Sequence, residues 1–189
     1  MRLNFHNSRY VISAPSLKEA PKDGLPHVLF AGRSNVGKSS LINGLTGSKL
    51  AFSSKKAGKT KLLNYFLVDG AFYLVDSPGY GSTSYANLST IQFSKMMEDY
   101  VKDKSLKAVV LLVDLRRDPG EDDKAFYRYL VSTGVKLITV VTKCDKLNQK
   151  ERHEASQRAF ALGLSEPLFS DLSPKALDLI RKSIADSLS

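Results

Sequence analysis

The feature that most constrains this 189-residue chain is a glycine-bounded loop between an apolar run and an amphipathic stretch. The run His27–Ala31 predicts a buried strand, and the spacing of Leu41, Ile42 and Leu45 predicts a helix after the loop. The loop reads Gly32-x-x-x-x-Gly37-Lys38-Ser39, a pattern that requires this strand–loop–helix context. Such a chain is expected to form an α/β fold that binds phosphate groups at one edge of its sheet.

This phosphate loop, residues 32–39, has a direct physical interpretation. Glycines let the backbone curl so that successive N–H groups point at phosphate oxygens, and the next helix presents its positive end to the same anion. Lys38 is expected to place its charge on the β- and γ-phosphates, and the Ser39 hydroxyl is expected to ligate magnesium. The predicted phosphate-binding residues here are Gly32, Arg33, Ser34, Asn35, Val36, Gly37, Lys38 and Ser39.

Short apolar runs alternate with stretches of helical periodicity along the rest of the chain. The runs are Leu62–Val68, Ala71–Val75, Ala108–Val113, Val135–Val141 and Pro167–Phe169. The alternation predicts an α/β fold with a mostly parallel sheet and helices on both faces. Asp69-Gly70 separates two runs and is a tight hairpin signal, so one strand should be antiparallel. Residues 1–24 are expected to be an extended lead-in, and residues 25–189 a single domain.

A second motif, Thr142-Lys143-Cys144-Asp145, follows the run Val135–Val141 and should therefore reach the same sheet edge as the phosphate loop. The Asp145 carboxylate can accept hydrogen bonds from guanine N1–H and the 2-amino group, whereas adenine offers no such pair of donors. The aliphatic stem of Lys143 can lie over the base. Cys144 is the variable position. Phe169-Ser170-Asp171 is expected to contact guanine through backbone N–H groups.

Two further segments are expected to respond to the γ-phosphate. In Asp76-Ser77-Pro78-Gly79, the carboxylate can hold magnesium through water and the glycine N–H can meet the γ-phosphate. The hydroxyl of Thr60 should complete the magnesium shell, so both segments should order with GTP and loosen after hydrolysis. The segment around Thr60 adds the nucleotide contacts Gly58, Lys59, Thr60, Lys61 and Leu62. The predicted metal ligands are Ser39, Thr60 and Asp76; the predicted catalytic residues are Asn35, Lys38, Thr60 and Gly79.

Charge and composition limit the partner and the compartment. The formal net charge of +9 favours polyanionic partners such as nucleic acid or an acidic membrane surface. No apolar run approaches the roughly 20 residues of a membrane helix, and residues 1–10 lack the apolar core of a signal peptide. The single cysteine cannot form an internal disulfide, which agrees with a reducing compartment. The expected location is the cytoplasm.

Taken in order, these elements resemble the EngB family (also called YihA or YsxC) of bacterial ribosome-biogenesis GTPases, within the translation-factor-related class. The resemblance runs from about Leu25 to the C-terminus. It departs from the family pattern at Ser77, where leucine is more frequent, and near His27, where an acidic residue is more frequent. The residues that carry it are 32–43, Gly58-Lys59-Thr60, Asp76-Ser77-Pro78-Gly79-Tyr80-Gly81, Val113-Asp114-Leu115-Arg116-Arg117, Thr142-Lys143-Cys144-Asp145-Lys146 and Leu168-Phe169-Ser170.

The resemblance implies a Ras-like P-loop G domain with a six-stranded, mostly parallel sheet and about five helices. It implies GTP and GDP binding, slow GTP hydrolysis with magnesium, and a switch function in assembly of the large ribosomal subunit. The expected partners are that subunit or its precursor, through ribosomal RNA and proteins, with no membrane partner and a monomeric protein. The family is also linked to normal cell division and septation.

Three hypotheses concern chemistry and partner. Ras-like enzymes usually position water with a glutamine directly after the Asp-x-x-Gly glycine, but this chain has Tyr80, so intrinsic hydrolysis should be slow without a partner. Related GTPases with an asparagine at the position of Asn35 use it to bind potassium beside the phosphates. The cluster Lys55, Lys56, Lys59 and Lys61 surrounds Thr60 and is hypothesised to contact ribosomal RNA in a nucleotide-dependent way.

Two alternative functions remain open at this level. A P-loop kinase or ATPase shares the phosphate loop but gives no reason for Asp145 or for the Asp69-Gly70 hairpin. A non-enzymatic RNA-binding assembly factor would use GTP only as an ordering ligand, and Tyr80 keeps this alternative open. Competition between ATP, GTP and XTP separates the first from a GTPase, and multiple-turnover phosphate release separates the second.

Overall fold

The computed structural model describes residues 2–51, 62–81 and 90–189, with Thr90 described by its backbone only. Its strands are β1 (Ser8–Ala14), β2 (His27–Gly32), β3 (Leu63–Val68), β4 (Phe72–Asp76), β5 (Leu106–Val113), β6 (Leu137–Val141) and β7 (Leu168–Phe169). Its helices are α1 (Lys38–Thr46), α2 (Thr90–Val101), α3 (Glu121–Thr133), α4 (Gln149–Ala161) and α5 (Pro174–Ser187). Single 3₁₀ turns lie at Leu17–Glu19 and Cys144–Lys146.

All the described strands form one sheet in the order β1-β3-β4-β2-β5-β6-β7. β3 runs antiparallel to both of its neighbours, β1 and β4, and the remaining pairings are parallel. Asp69 and Gly70 connect β3 to β4 with φ values of 51° and 61°, the left-handed pair that a tight hairpin turn requires. The predicted α/β class and the single antiparallel strand are therefore confirmed.

The strand count differs from the expected six, because the described residues contain a seventh strand. β1 comes from the segment that was expected to be an extended lead-in, and it pairs with the outer edge of β3. Only Ala14 of this strand is buried, so the apolar alternation that would predict an edge strand is weak. Asp69 anchors the segment, because its carboxylate accepts from Asn4 N–H (2.9 Å) and its N–H donates to the Asn7 carbonyl (2.8 Å).

Helices cover both faces of the sheet, as expected. Alternate residues of β2 point to opposite faces: Leu29 and Ala31 pack in a cluster with residues of α2, α3 and α4, whereas Val28 and Phe30 pack with α1 and α5. Because β4, β2, β5, β6 and β7 run parallel to one another, their carboxyl ends meet along one edge of the sheet. The loops at that edge carry the candidate site.

Helix α4 was missed by the periodicity argument, because it buries only Ala155 and Ala159. Small residues at this spacing produce a weak apolar signal. The helix begins with a capping box, in which the Asn148 side chain accepts from Glu151 N–H (2.9 Å) and Glu151 accepts from Asn148 N–H (2.7 Å). The helix carries Arg152, whose guanidinium donates to the Cys144 carbonyl beside the candidate site.

Candidate nucleotide site

The phosphate loop joins β2 to α1 with little room for side chains. A Cβ atom at Gly32 would lie 2.8 Å from Val36 Cγ1 and 3.1 Å from the Leu112 carbonyl oxygen, so a larger residue would displace β5 or the loop. Gly37 has a φ of 105° and directly precedes α1. The loop closes on itself because Val36 N–H donates to the Arg33 carbonyl (3.1 Å). The curled backbone and the helix start match the anion-binding arrangement that the motif predicts.

Lys38 lies beside the carboxyl end of β4. Its ammonium donates to the Asp76 carboxylate and to the Ser77 carbonyl oxygen, the latter at 2.6 Å. Ser77 is in turn fixed to β2, because both its hydroxyl and its N–H donate to the Phe30 carbonyl oxygen. Lys38, which was predicted to hold phosphate, therefore lies beside Asp76, which was predicted to hold magnesium, and Asp76 is only 5% exposed.

The turn after Asp76 lies directly on the phosphate loop. A Cβ atom at Gly79 would lie 2.8 Å from Ser34 Oγ and 3.0 Å from Ser34 Cα, so only glycine allows this approach. Main-chain hydrogen bonds join the next residue to the loop: Ser34 N–H donates to the Tyr80 carbonyl (2.9 Å), and Tyr80 N–H donates to the Gly32 carbonyl (3.3 Å). The predicted γ-phosphate contact is thus adjacent to the predicted phosphate loop.

The Thr142–Asp145 motif is bonded to the same loop. Thr142 N–H donates to the Val113 carbonyl (3.1 Å), and its buried hydroxyl donates to the Val36 carbonyl (2.6 Å). Lys143 adopts a φ of 57°, and the chain then enters a 3₁₀ turn in which Cys144 is buried and Asp145 is exposed. Burial raises the pKa of the Cys144 thiol, so it is a packing residue and not a reactive thiolate. The Asp145 carboxylate is left accessible at the sheet edge.

Arg152 of α4 supports this motif, and sequence reasoning missed it together with the helix. Its guanidinium donates to the Cys144 carbonyl (3.3 Å) and lies 5.5 Å from the centre of the Phe169 ring. It therefore links the turn that contains Asp145 to the end of β7.

In the segment after β7, the structure corrects the prediction for one of three residues. Ser170 N–H donates to the Val141 carbonyl (2.9 Å), so this N–H belongs to the sheet and does not point at a base as expected. The Ser170 hydroxyl, in contrast, is buried and has no hydrogen-bond partner within residues 2–51, 62–81 and 90–189. A buried hydroxyl left unpaired costs about 1–3 kcal/mol, so this atom fits contact with a polar ligand. The Asp171 carboxylate is used locally: hydrogen bonds from Ser173 lower its pKa.

Other predicted residues are placed as follows. Asn35 and Arg33 are exposed in the loop, Asn35 with a φ of 63°. Leu62 is half-buried immediately before β3. The predictions for Gly58, Lys59, Thr60 and Lys61, and the lysine cluster that also includes Lys55 and Lys56, lie outside the described residues.

A cavity of about 100 Å³ beside the phosphate loop contains two carboxylates that were not predicted as site residues, Asp114 and Asp123. Asp114 forms a two-point ion pair with Arg116, with distances of 2.8 and 2.6 Å. Burial works to raise the pKa of Asp114, but the hydrogen bonds from Arg116 outweigh it and the pKa is lowered. The sequence did carry a signal for Asp114 and Arg116, since both lie in the segment that resembles the family pattern.

This sheet order, the phosphate loop after β2, the Asp76–Gly79 turn and the Thr142–Asp145 motif together define a Ras-like P-loop GTPase domain. A family model described as "50S ribosome-binding GTPase" matches residues 27–143. A crystal structure of a probable GTP-binding protein engB shares the fold, with a TM-score of 0.64 and 23% identity over 86% of this chain and 98% of that chain.

Curated relatives specify the family. The probable GTP-binding protein EngB of Lactobacillus gasseri is 43% identical over 154 residues, covering 80% of this chain and 79% of that protein. The protein of the same name from Streptococcus pneumoniae is 39% identical over 195 residues and covers both chains in full. The chain belongs to the EngB family of GTP-binding proteins. Within the described residues, no helix has both the length and the apolar composition needed to cross a membrane.

Proposed function

We propose that this protein is a cytoplasmic switch that hydrolyses GTP slowly and acts in assembly of the large ribosomal subunit. The observation that carries the switch is the hydrogen-bonded junction at the phosphate loop. Tyr80 joins the γ-phosphate turn to one side of the loop, and Thr142 joins the base motif to Val36 on the other side. Changes at the nucleotide can therefore reach two separate segments of the fold through one loop.

The residues at the carboxyl edge fit a magnesium–nucleotide complex. A bound magnesium ion would neutralise charge on the phosphates. Among the described residues, Ser39 and Asp76 would supply oxygen ligands to this ion, and Thr60 is the third predicted ligand. In the described parts of the chain, no three His, Cys, Asp or Glu side chains converge as in an all-protein metal site. A site completed by phosphate oxygens and water suits magnesium, which keeps much of its hydration shell.

Slow turnover is supported by the position of the Tyr80 side chain. Its hydroxyl donates to Asp123 on α3 (2.8 Å), and its ring packs against Phe93 and Phe126 with centroid distances of 5.3 and 4.8 Å. A hydroxyl held in this way does not orient a water molecule at the γ-phosphate. We therefore expect turnover to depend on a partner, or on potassium beside Asn35.

Multiple-turnover phosphate release, measured with and without large ribosomal subunits, tests the enzymatic part of this proposal. Catalytic turnover supports a GTPase switch, whereas GTP binding without any turnover supports the alternative of an assembly factor ordered by GTP. The potassium hypothesis is tested by the same assay in potassium and sodium buffers, with Asn35→Ala as the variant. Equal rates in both salts would end that hypothesis.

The ribosomal part is supported by the description of the matching family model and by unpaired positive charge. Lys102, Lys104, Lys107 and Lys136 are exposed near the amino ends of β5 and β6, and none has an ion pair within the described residues. The neighbouring Asp103 carboxylate accepts from the N–H and hydroxyl of Ser105. Unpaired lysines suit the phosphate backbone of RNA.

Co-sedimentation with purified large subunits, with a GTP analogue or GDP and at several salt concentrations, tests this partner. We expect more binding with the GTP analogue and a loss of binding with rising salt. The variant Lys104→Ala/Lys107→Ala should bind less than Lys95→Ala, because Lys95 is already paired with Asp99. Binding that ignores both nucleotide and salt would refute the proposed ribosomal switch. The link to cell division and septation rests on the family resemblance. Measuring cell length after depletion of the protein in its host tests this link.

A further inference from the structure

One buried carboxylate connects helix α3 to the nucleotide site. Asp123 is 8% exposed and accepts three hydrogen bonds, from the Tyr80 hydroxyl (2.8 Å), Arg33 Nη1 (3.2 Å) and Gly120 N–H (3.3 Å). Asp123 lies in the first turn of α3, where the helix dipole stabilises a negative charge. The phosphate loop, the γ-phosphate turn and α3 therefore meet at this side chain.

Tyr80 is the stronger of the two connections to the site. Burial, followed by the charges and hydrogen bonds of Tyr127 and Asp123, raises its pKa, so the phenol stays protonated and donates. A hydrogen bond to a carboxylate in a buried setting is stronger than one between neutral groups. The guanidinium of Arg33 is 44% exposed, so solvent weakens its ion pair with Asp123.

The backbone of Tyr80 is held at the same time on the opposite side. Its N–H and carbonyl are both hydrogen-bonded to the phosphate loop, at Gly32 and Ser34. Gly79, the residue before it, is pressed against Ser34 with no room for a Cβ atom. Holding both the side chain and the backbone of Tyr80 limits the positions that the Gly79 N–H can take.

We propose that Asp123 and Tyr80 are positioning residues that hold the Gly79 N–H for the γ-phosphate and so raise the affinity for GTP relative to the affinity for GDP. A donor fixed in advance binds its acceptor with a smaller loss of conformational entropy. GDP lacks the γ-phosphate, so its affinity does not depend on this donor. The inference rests on the proposed function only in assigning Gly79 to the γ-phosphate. Because Asp123 belongs to α3, this helix becomes a part of the nucleotide switch.

The test measures dissociation constants for GDP and for a non-hydrolysable GTP analogue. Tyr80→Phe keeps the packed ring and removes the hydroxyl, and Asp123→Ala removes the acceptor. Both should weaken the GTP analogue by about tenfold while GDP changes by less than about twofold. Asp122→Ala and Tyr129→Phe are the controls, because both side chains line the neighbouring groove and have no hydrogen bond within the described residues.

The double variant and a stability measurement separate positioning from folding. If the two residues act through one contact, Tyr80→Phe/Asp123→Ala should weaken the GTP analogue little more than Asp123→Ala alone. Equal losses for GDP and the GTP analogue, accompanied by a lower melting temperature, would overturn the inference and leave a structural role. Unchanged affinities would overturn it as well. The proposed function fails by different results, namely absent phosphate release and absent ribosome binding in the unsubstituted protein.

Discussion

The hydrogen bond from the Thr142 hydroxyl to the Val36 carbonyl is the contact on which the assembled site most depends. The two groups are 2.6 Å apart and buried, and they join residues separated by 106 positions in the chain. Thr142→Val retains the shape of the side chain but leaves the Val36 carbonyl without this donor. Thr142→Ser retains the hydroxyl and is the matched control.

The expected magnitude follows from the burial of the carbonyl. An unsatisfied buried acceptor costs about 1–3 kcal/mol, and each kcal/mol lowers the melting temperature of a domain of this size by about 2–4 °C. Because this bond joins the base motif to the loop and does not involve the γ-phosphate, affinities for GDP and GTP should fall together. Thr142→Ser should lose less stability and less nucleotide affinity than Thr142→Val.

Urea unfolding and titration with a fluorescent GDP analogue measure the two effects. If Thr142→Val were as stable as the unsubstituted protein and bound GDP equally well, the argument that this bond holds the site together would be refuted. A loss restricted to GTP would also contradict it, since no part of the contact touches the γ-phosphate turn.

Three further predictions concern the base site and the core. Asp145→Asn should shift preference from GTP to XTP by at least about tenfold, because an amide cannot accept from both guanine donors; competition binding measures this, and an unchanged preference for GTP would contradict it. Ser170→Ala should leave stability without nucleotide unchanged or raised, since it removes an unpaired buried hydroxyl, but should lower GDP affinity; unchanged affinity would mean that the hydroxyl does not meet the ligand. Burial lowers the pKa of His27 below its ordinary value of 6.5, partly opposed by Asp103 and Asp23. Near this pH the folded state thus binds fewer protons than the unfolded state. The free energy of unfolding should therefore be highest above pH 6.5 and should fall as the pH drops from 6.5 toward the lowered pKa of folded His27. His27→Phe should reduce this slope in urea unfolding at several pH values, whereas His153→Gln, at an exposed position, should not.

Short sequence patterns predicted those elements whose conformation depends on residues nearby in the sequence. The phosphate loop follows from glycines and a lysine at fixed spacing, and the hairpin follows from Asp69-Gly70, which adopts the left-handed φ values that such turns need. Strand ends predicted where Asp76 and Thr142 would lie, because carboxyl ends of parallel strands share one edge. Strand β1 and helix α4 were missed, since an exposed edge strand and a helix packed through alanines leave little apolar periodicity.

By itself, the sequence determined the α/β fold class, the phosphate loop and the order of the motifs along the chain, because each depends on short-range backbone preferences and periodicity. Only the tertiary structure decided which side chains meet. The pairing of Tyr80 with Asp123, 43 residues apart, turns an apparent replacement of a catalytic glutamine into a link to α3. The Ser170 N–H donates to the Val141 carbonyl and not to a base, and this too depends on how two strands pair. Such contacts depend on how separate elements pack together, and no local pattern encodes that packing.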